Sequence, residues 1–203
     1  MPQEAVLTAT QASTWGELVE GAFINSIRGL SEMVGQEIEA SHLQTRSIPV
    51  DEVAGLLGEP ESPSVGIYLS ISGEATGHIV LIYAPETAYG LVEMLLGNPP
   101  GTIATLDEME QSALGELGNV MGSFFLNHLA NAAGYILHPS PPAIIMDMAS
   151  AILEIALADI VVEADRVLAV DAVFGTPDRQ IKGHFLVMPS LGLVRKILKG
   201  VGQ

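Results

Sequence analysis

Cysteine is absent from these 203 residues, which removes disulfides, thiolate nucleophiles and zinc–sulfur sites together and fits a reducing cytoplasm. Basic residues are scarce: eight Lys plus Arg against 24 Asp plus Glu leave a formal net charge of -16. A chain so acidic repels a phosphate backbone, which excludes nucleic acid as a partner. The five histidines, His42, His78, His128, His138 and His184, show neither His-x-His nor His-Glu-x-x-His spacing, so no metal and no cofactor of its own is expected. His78 and His184 occupy matching places in a repeat described below and are read as structural, at strand starts. A Gly-x-x-x-x-Gly-Lys phosphate loop and a Gly-x-Ser-x-Gly elbow are both missing, which leaves nucleotide hydrolysis and serine chemistry without support.

Charge is missing in a second, local sense. From Leu117 to Met146 there is no Asp, Glu, Lys or Arg, a run long enough to span a bilayer. It does not read as a membrane span, because Asn119, Asn127, His128, Asn131 and His138 interrupt it and Pro139, Pro141 and Pro142 break its end. No adjoining basic cluster supplies an orientation signal. Met1-Pro-Gln-Glu-Ala5 has neither the basic start nor the apolar core of a secretory signal. The expectation is a soluble, cytoplasmic protein with a heavily buried central helix.

What is present is one substantial core, given 48% hydrophobic residues, and an approximate internal repeat. Gly77-His78-Ile79-Val80-Leu81-Ile82 recurs as Gly183-His184-Phe185-Leu186-Val187-Met188, each an apolar run of strand length. Each precedes a helix-like segment, Leu91 to Gly97 and Leu193 to Gly200, with a glycine placed to stop the helix in both copies. The predicted organisation is one domain over 1–203, with pseudo-repeats at about 12–98 and about 102–203, divided by Asn98-Pro99-Pro100-Gly101.

A long helix opens each half. In the second, Thr105 with Glu108 suggests a capping box, and Leu106, Met109, Ala113, Leu117, Val120 and Phe124 make an apolar stripe. Val19, Phe23, Ile27 and Leu30 make the stripe of the first. At about 100° per residue, Ser112, Glu116, Asn119 and Ser123 fall within roughly 60° of one another beside the stripe, forming a ridge that should reach solvent. An acid and an amide three residues apart on one face can hold a partner's cation and a water molecule side by side. The amide donates one hydrogen bond and accepts another without adding negative charge, whereas a carboxylate there would repel an anion. Glu116 is useful only opposite a cation.

Strands are expected at Thr45 to Val50, before a short helix near Asp51 to Leu57. Val65 to Ser72 and Thr76 to Tyr83 read as a hairpin turning at Gly73-Glu74. In the second half a helical or mixed stretch runs from Ala143 to Leu157, followed by Val167 to Phe174 and Ile181 to Met188 around Gly175-Thr176-Pro177-Asp178. Such hairpins imply an α/β (α+β) fold with an antiparallel sheet flanked by helices.

Ser112-Ala-Leu-x-Glu116-x-Gly-Asn119-x-x-Gly122, continuing through Leu129-Ala130 to Pro139-Ser140-Pro141-Pro142 and Asp147-Met148-Ala149, resembles the second half of the CheC family, within the CheC/CheX/FliY superfamily. The likeness spans the whole chain, including the Gly-His strand and the Leu-Val-x-x-Leu-Leu-Gly helix. It implies a pseudo-twofold fold whose two long helices lie side by side on one face of the sheet. It also implies a chemotaxis phosphatase that removes the aspartyl phosphate of a CheY-like response regulator, with no covalent enzyme intermediate. The regulator's acyl phosphate and its bound magnesium already supply an activated leaving group and charge neutralisation, so such a phosphatase supplies positioning and electrostatics. Asn119 would orient the attacking water, Glu116 would pair with the regulator's active-site lysine, and Ser112 would support them. The alternative under the same resemblance is a non-catalytic binding module for CheD or for phosphorylated CheY, regulating receptor adaptation. A flagellar switch component fits less well, because related switch proteins carry an additional small β-rich domain.

Aligning the two apolar stripes sets Asn25 opposite Asn119, Ala22 opposite Glu116 and Leu18 opposite Ser112. The amide survives and the anchor is missing; Glu17 and Glu20 lie roughly 80° and 140° around the axis from Asn25. Many members of the family carry two intact motifs. Here the first-half site, Asn25, is expected to be inactive or greatly weakened. Gly118 and Gly122 are read as close helix packing, and the methionines as core gap-fillers.

Overall fold

The computed structural model describes residues 9–49, 52–56, 61–157, 166–177 and 179–201. The elements run α1 (Ala9–Val34), β1 (Glu39–Pro49), α2 (Val53–Leu56), β2 (Pro63–Gly73), β3 (Gly77–Tyr83), α3 (Pro85–Leu96), α4 (Glu108–Ala133), β4 (Leu137–Pro139), β5 (Ala143–Met148), α5 (Ala149–Leu157), β6 (Arg166–Thr176), β7 (Arg179–Pro189) and α6 (Leu191–Val201). The strands form one seven-stranded sheet ordered β1-β6-β7-β3-β2-β4, with β5 also on β2, and every pairing is antiparallel. This is the mixed, antiparallel architecture expected from the hairpin pattern.

Each half lends its leading strand to the other. β1 pairs with β6, and β4 and β5 pair with β2, so the halves interlock through main-chain hydrogen bonds as well as through side chains. Between the hairpins β3 pairs with β7, Ile82 opposite His184 and His78 opposite Met188. The repeated glycines have a packing reason there. A Cβ on Gly183 would lie 2.3 Å from the Tyr83 ring, and one on Gly77 would lie 2.9 Å from the Met188 carbonyl oxygen, so neither strand tolerates a side chain at that crossing.

Alternation along the strands makes two cores. Ile67, Leu69, Ile79, Leu81, Phe185 and Val187 face α1 and α4, joined by Phe23, whose ring centroid lies 5.4 Å from that of Phe185. Val80, Ile82, Leu186 and Met188 face the other way, toward Val53 on α2 and Ile152 and Leu153 on α5. Val19, Phe23, Ile27 and Leu30 are all buried, as their spacing predicts.

Several local expectations are corrected. β1 starts at Glu39, six residues before the predicted Thr45, and the stretch from Ala143 to Leu157 divides cleanly into β5 and α5. The short helix is Val53–Leu56; Val50, Asp51 and Leu57 fall outside the described residues, as does Asp178 of the second turn. Gly97 ends α3 in the left-handed conformation, φ 69°, as predicted, but Gly200 lies inside α6, which continues to Val201. His78 is the second residue of β3, whereas His184 is mid-strand in β7 and takes its place from Asp171 opposite, with His184 Nδ1 and Asp171 Oδ1 2.6 Å apart. Among the described residues no helix is long and apolar enough to cross a membrane; the uncharged run is shared out among α4, β4 and β5.

Candidate active site on the second long helix

α4 begins one pair later than predicted. Asp107, extended at φ -77° and ψ -171°, is the cap and forms the capping box with Glu110, whose Oε2 accepts from the Asp107 N–H at 3.1 Å; Thr105 lies outside the helix. The buried face is also rotated. Leu114, Leu117, Met121, Phe125 and Leu129 are fully covered, while Met109 is 62% exposed and Ala113, Val120 and Phe124 are half-buried. The cause is glycine. Added Cβ atoms would stand 2.5 Å from Ile67 Cγ2 at Gly118 and 3.0 Å from Leu69 Cδ2 at Gly122, so the helix touches the sheet most closely where a hydrophobic stripe records nothing. Close packing is therefore what these two glycines provide.

The polar ridge survives that rotation. Ser112, Glu116 and Asn119 are exposed and Ser123 is half-buried. Among the described residues the side chains of Ser112, Glu116 and Asn119 have no hydrogen-bond partner, so both the carboxylate and the carboxamide keep their full capacity for a visitor. They form one wall of an open groove of about 720 Å³ whose other wall is Pro139 to Pro142 with Ile144. Gly115, between Ser112 and Glu116, has nothing within 4 Å of where its Cβ would be, which leaves the centre of the ridge bare.

The proline wall is the part of the groove that spacing did not anticipate. Its position follows from Ser140, whose N–H donates to the Ser70 carbonyl at 2.8 Å while its Oγ accepts from the Ser70 N–H at 3.0 Å. Three prolines around one pinned serine make a stiff surface with few donors of its own. A Pro-Ser-Pro-Pro stretch directly after a helix that carries a polar ridge was the available signal.

Asn25, set against Asn119 by the apolar stripes, is part-buried between the two long helices. α1 and α4 are each followed by a left-handed glycine, Gly35 at φ 70° and Gly134 at φ 69°. Matching the helices at these glycines sets Asn25 against Phe124, Ser13 against Ser112, Glu17 against Glu116 and Glu20 against Asn119. Asn25 instead donates its Nδ2 to the Phe124 carbonyl at 2.7 Å, and Ala22, set opposite Glu116 by the stripe alignment, is fully buried. The two registers differ because the buried face of α4 is rotated at its glycines relative to the apolar stripe. Among the described residues no three Asp, Glu or His side chains are grouped to hold a metal ion.

The CheC-like family model matches residues 109–146, which is α4 together with its proline wall and most of β5. The CheY-P phosphatase CheC of Bacillus subtilis is 26% identical over 88% of this chain and 87% of its own length. The similarity to the CheC-like family is thus strongest over the helix that carries the ridge. A second relative, the putative CheY-P phosphatase CheC1 of Halobacterium salinarum, is 22% identical over 88% of this chain and 89% of that protein. Among solved structures, FliY of Thermotoga maritima overlays this chain with a TM-score of 0.74 at 20% identity, covering 97% of this chain and 98% of that one. A chain of the CheX-CheY-BeF3-Mg+2 complex from Borrelia burgdorferi overlays with a TM-score of 0.56 at 19% identity, covering 85% and 97%. Both likenesses concern the fold.

Proposed function

We propose that this CheC-like protein hydrolyses the aspartyl phosphate of a CheY-like response regulator, using Glu116 and Asn119. One observation carries the reading: an exposed carboxylate and an exposed carboxamide, one turn apart on α4 and without partners among the described residues, overlook an open groove inside the stretch that the family model matches. The kinship with CheC of Bacillus subtilis, named as a CheY-P phosphatase, supports the choice of substrate.

The reaction is attack of water on phosphorus. The bond between phosphorus and the aspartyl oxygen breaks, the regulator's carboxylate leaves with that electron pair, and the water's proton passes to the inorganic phosphate formed. An acyl phosphate is a good leaving group, so the missing ingredients are the position of the water and its alignment with the phosphoryl group. Asn119 supplies both, because its carbonyl accepts from the water while its N–H donates toward a phosphoryl oxygen. Glu116 pairs with the regulator's ammonium and sets the depth to which Asn119 reaches. Ser112, one turn earlier, supports Glu116, and the bare Gly115 lets the regulator's surface approach the helix. Magnesium belongs to the regulator's own site and supplies charge neutralisation there.

The test is a time course of phosphorylated regulator with catalytic amounts of this protein. Multiple turnovers per molecule are expected; an unchanged phosphate lifetime with the regulator held in a tight complex would identify a trap and overturn the reading.

A further inference from the structure

β5 runs along the outer edge of the sheet, paired with β2 and, among the described residues, with no strand beyond it. Its register sets Ile144, Met146 and Met148 opposite Ile67, Val65 and Pro63, so the three side chains share the face on which Ile67 and Val65 enter the helix-side core. Ile144 lines the groove together with Glu116 and Asn119. Met146 and Met148, read from the sequence as core gap-fillers, are instead 52% and 46% exposed, although Val65 one strand further in is buried.

Single exposed hydrophobic residues are ordinary, but two at alternate positions of an edge strand make a patch that another chain can cover. The patch is continuous with the groove. Met146 follows Ile144 by about 7 Å along the strand and Met148 by about 14 Å, whereas a specific interface covers about 800 Å² on each partner, a disc about 30 Å across. A globular protein that closes over Glu116 and Asn119 therefore reaches the methionines as well. A second copy of this chain is the poorer occupant, because a formal net charge of -16 sets copy against copy and the exposed Asp147 stands between the two methionines.

Resting on the phosphatase reading above, we propose that Met146 and Met148 are the apolar anchor that selects which regulator is seated. Glu116 and Asn119 meet an ammonium and a phosphoryl group, which every substrate of this chemistry presents, so the polar pair does not tell one regulator from another. Discrimination falls to the surface beside it. Two apolar side chains there disfavour any partner that would bury a charged or unpaired polar group against them, and flexible thioethers adapt to the partner that brings apolar surface. The regulator that fits carries an uncharged, apolar patch next to its phosphorylation site.

The experiment replaces both methionines by threonine, which keeps strand propensity and removes the apolar reach. Met146→Thr/Met148→Thr is expected to bind the regulator, carrying beryllofluoride in place of its phosphate, about tenfold more weakly than the parent protein does. With phosphorylated regulator the Michaelis constant should rise by about the same factor while the maximal rate stays within about twofold. Met146→Leu/Met148→Leu should restore the parent affinity, and Ile155→Thr, at a comparably exposed apolar residue on α5, should change neither quantity. Thermal melts establish that each variant is folded. A folded threonine pair with the parent's affinity and Michaelis constant would overturn the proposal, as would a fall in maximal rate at unchanged affinity, which would make the methionines supports of α4. A parent protein that dimerises at assay concentration, and a threonine pair that is monomeric with regulator affinity unchanged, would assign the patch to a second copy and overturn it too. Asn119→Ala, assayed alongside, is expected to stop turnover while binding the beryllofluoride regulator as the parent does. If it left turnover unchanged, the phosphatase reading would fall and the anchor with it; an inactive Asn119→Ala beside a threonine pair that behaves as the parent would remove the anchor alone.

Discussion

Asn25 donates its side-chain amide to the backbone carbonyl of Phe124 at 2.7 Å, tying α1 to α4. The bond joins the two long helices where their faces pack together. Ser26 reinforces the joint by donating to the Met121 carbonyl at 2.9 Å. Replacing Asn25 by Ala removes one partly buried hydrogen bond, so unfolding free energy should fall by about 1 kcal/mol in a denaturant titration. Because Asn25 serves the helix joint, phosphatase turnover should stay within twofold of the parent protein. A loss of turnover matching that of Asn119→Ala, with stability unchanged, would return Asn25 to the chemistry.

Asn119 presents the reverse case. It is exposed and has no hydrogen-bond partner among the described residues, so Asn119→Ala and Asn119→Asp should leave stability within about 0.5 kcal/mol. Both should lower the maximal rate of regulator dephosphorylation by about 10²-fold, the scale of losing one well-placed donor at a reacting oxyanion. Asp is expected to be no better than Ala, since it restores an acceptor but brings charge. Glu116→Gln should act chiefly on the Michaelis constant, because its role is to dock a cation. Steady-state kinetics with thermal melts on the same samples separate these outcomes.

Sequence periodicity revealed most of the frame because the frame is made of apolar runs. The β2–β3 and β6–β7 hairpins, the stripe on α1 and the stop at Gly97 each follow from period-two or period-3.6 patterns and one left-handed glycine. It misled wherever a small or polar residue did the packing. Gly118 and Gly122 bring α4 against the sheet yet count as nothing in a hydrophobic stripe, so the stripe misplaced the buried face of α4. Glu93 escaped notice for a related reason. It is buried on α3, where its Oε1 accepts from the Thr102 and Ile103 N–H groups and its Oε2 lies 3.7 Å from Arg179, contacts made by a loop that periodicity does not describe. The ridge of Ser112, Glu116 and Asn119 was legible because exposed residues at helical spacing need no tertiary information to share a face.

Tyr83 gives a prediction in pH. It is almost completely buried with its ring over Gly183, and burial raises its phenol well above the ordinary tyrosine value, because the phenolate would lose its hydration. The unfolded chain ionises at about pH 10 while the folded one stays neutral, so above that pH the unfolded state binds fewer protons and stability falls with rising pH. Tyr83 alone contributes a slope of about 1.4 kcal/mol per pH unit in that range. In Tyr83→Phe this part of the slope should vanish while the contributions of other groups remain. Denaturant unfolding of both proteins at pH 9, 10 and 11 measures the difference; parallel curves would show that the phenol reaches water in the folded state.

Gly115 and Gly118 are three residues apart on α4, and the same substitution should act on them in opposite directions. At Gly118 an added methyl would lie 2.5 Å from Ile67 Cγ2 and press on the Pro142 ring, so Gly118→Ala should force α4 off the sheet and cost about 1–3 kcal/mol. At Gly115 nothing lies within 4 Å, so Gly115→Ala should gain helix propensity and raise stability by up to about 1 kcal/mol. The same methyl stands on the bare surface between Ser112 and Glu116, where the regulator is proposed to seat. Gly115→Ala should therefore weaken regulator binding several-fold while making the protein more stable, a combination that a purely structural glycine does not produce. Binding titrations and denaturation on the two variants decide it: a Gly115→Ala protein that is more stable and binds as tightly as the parent would place the regulator elsewhere on the molecule.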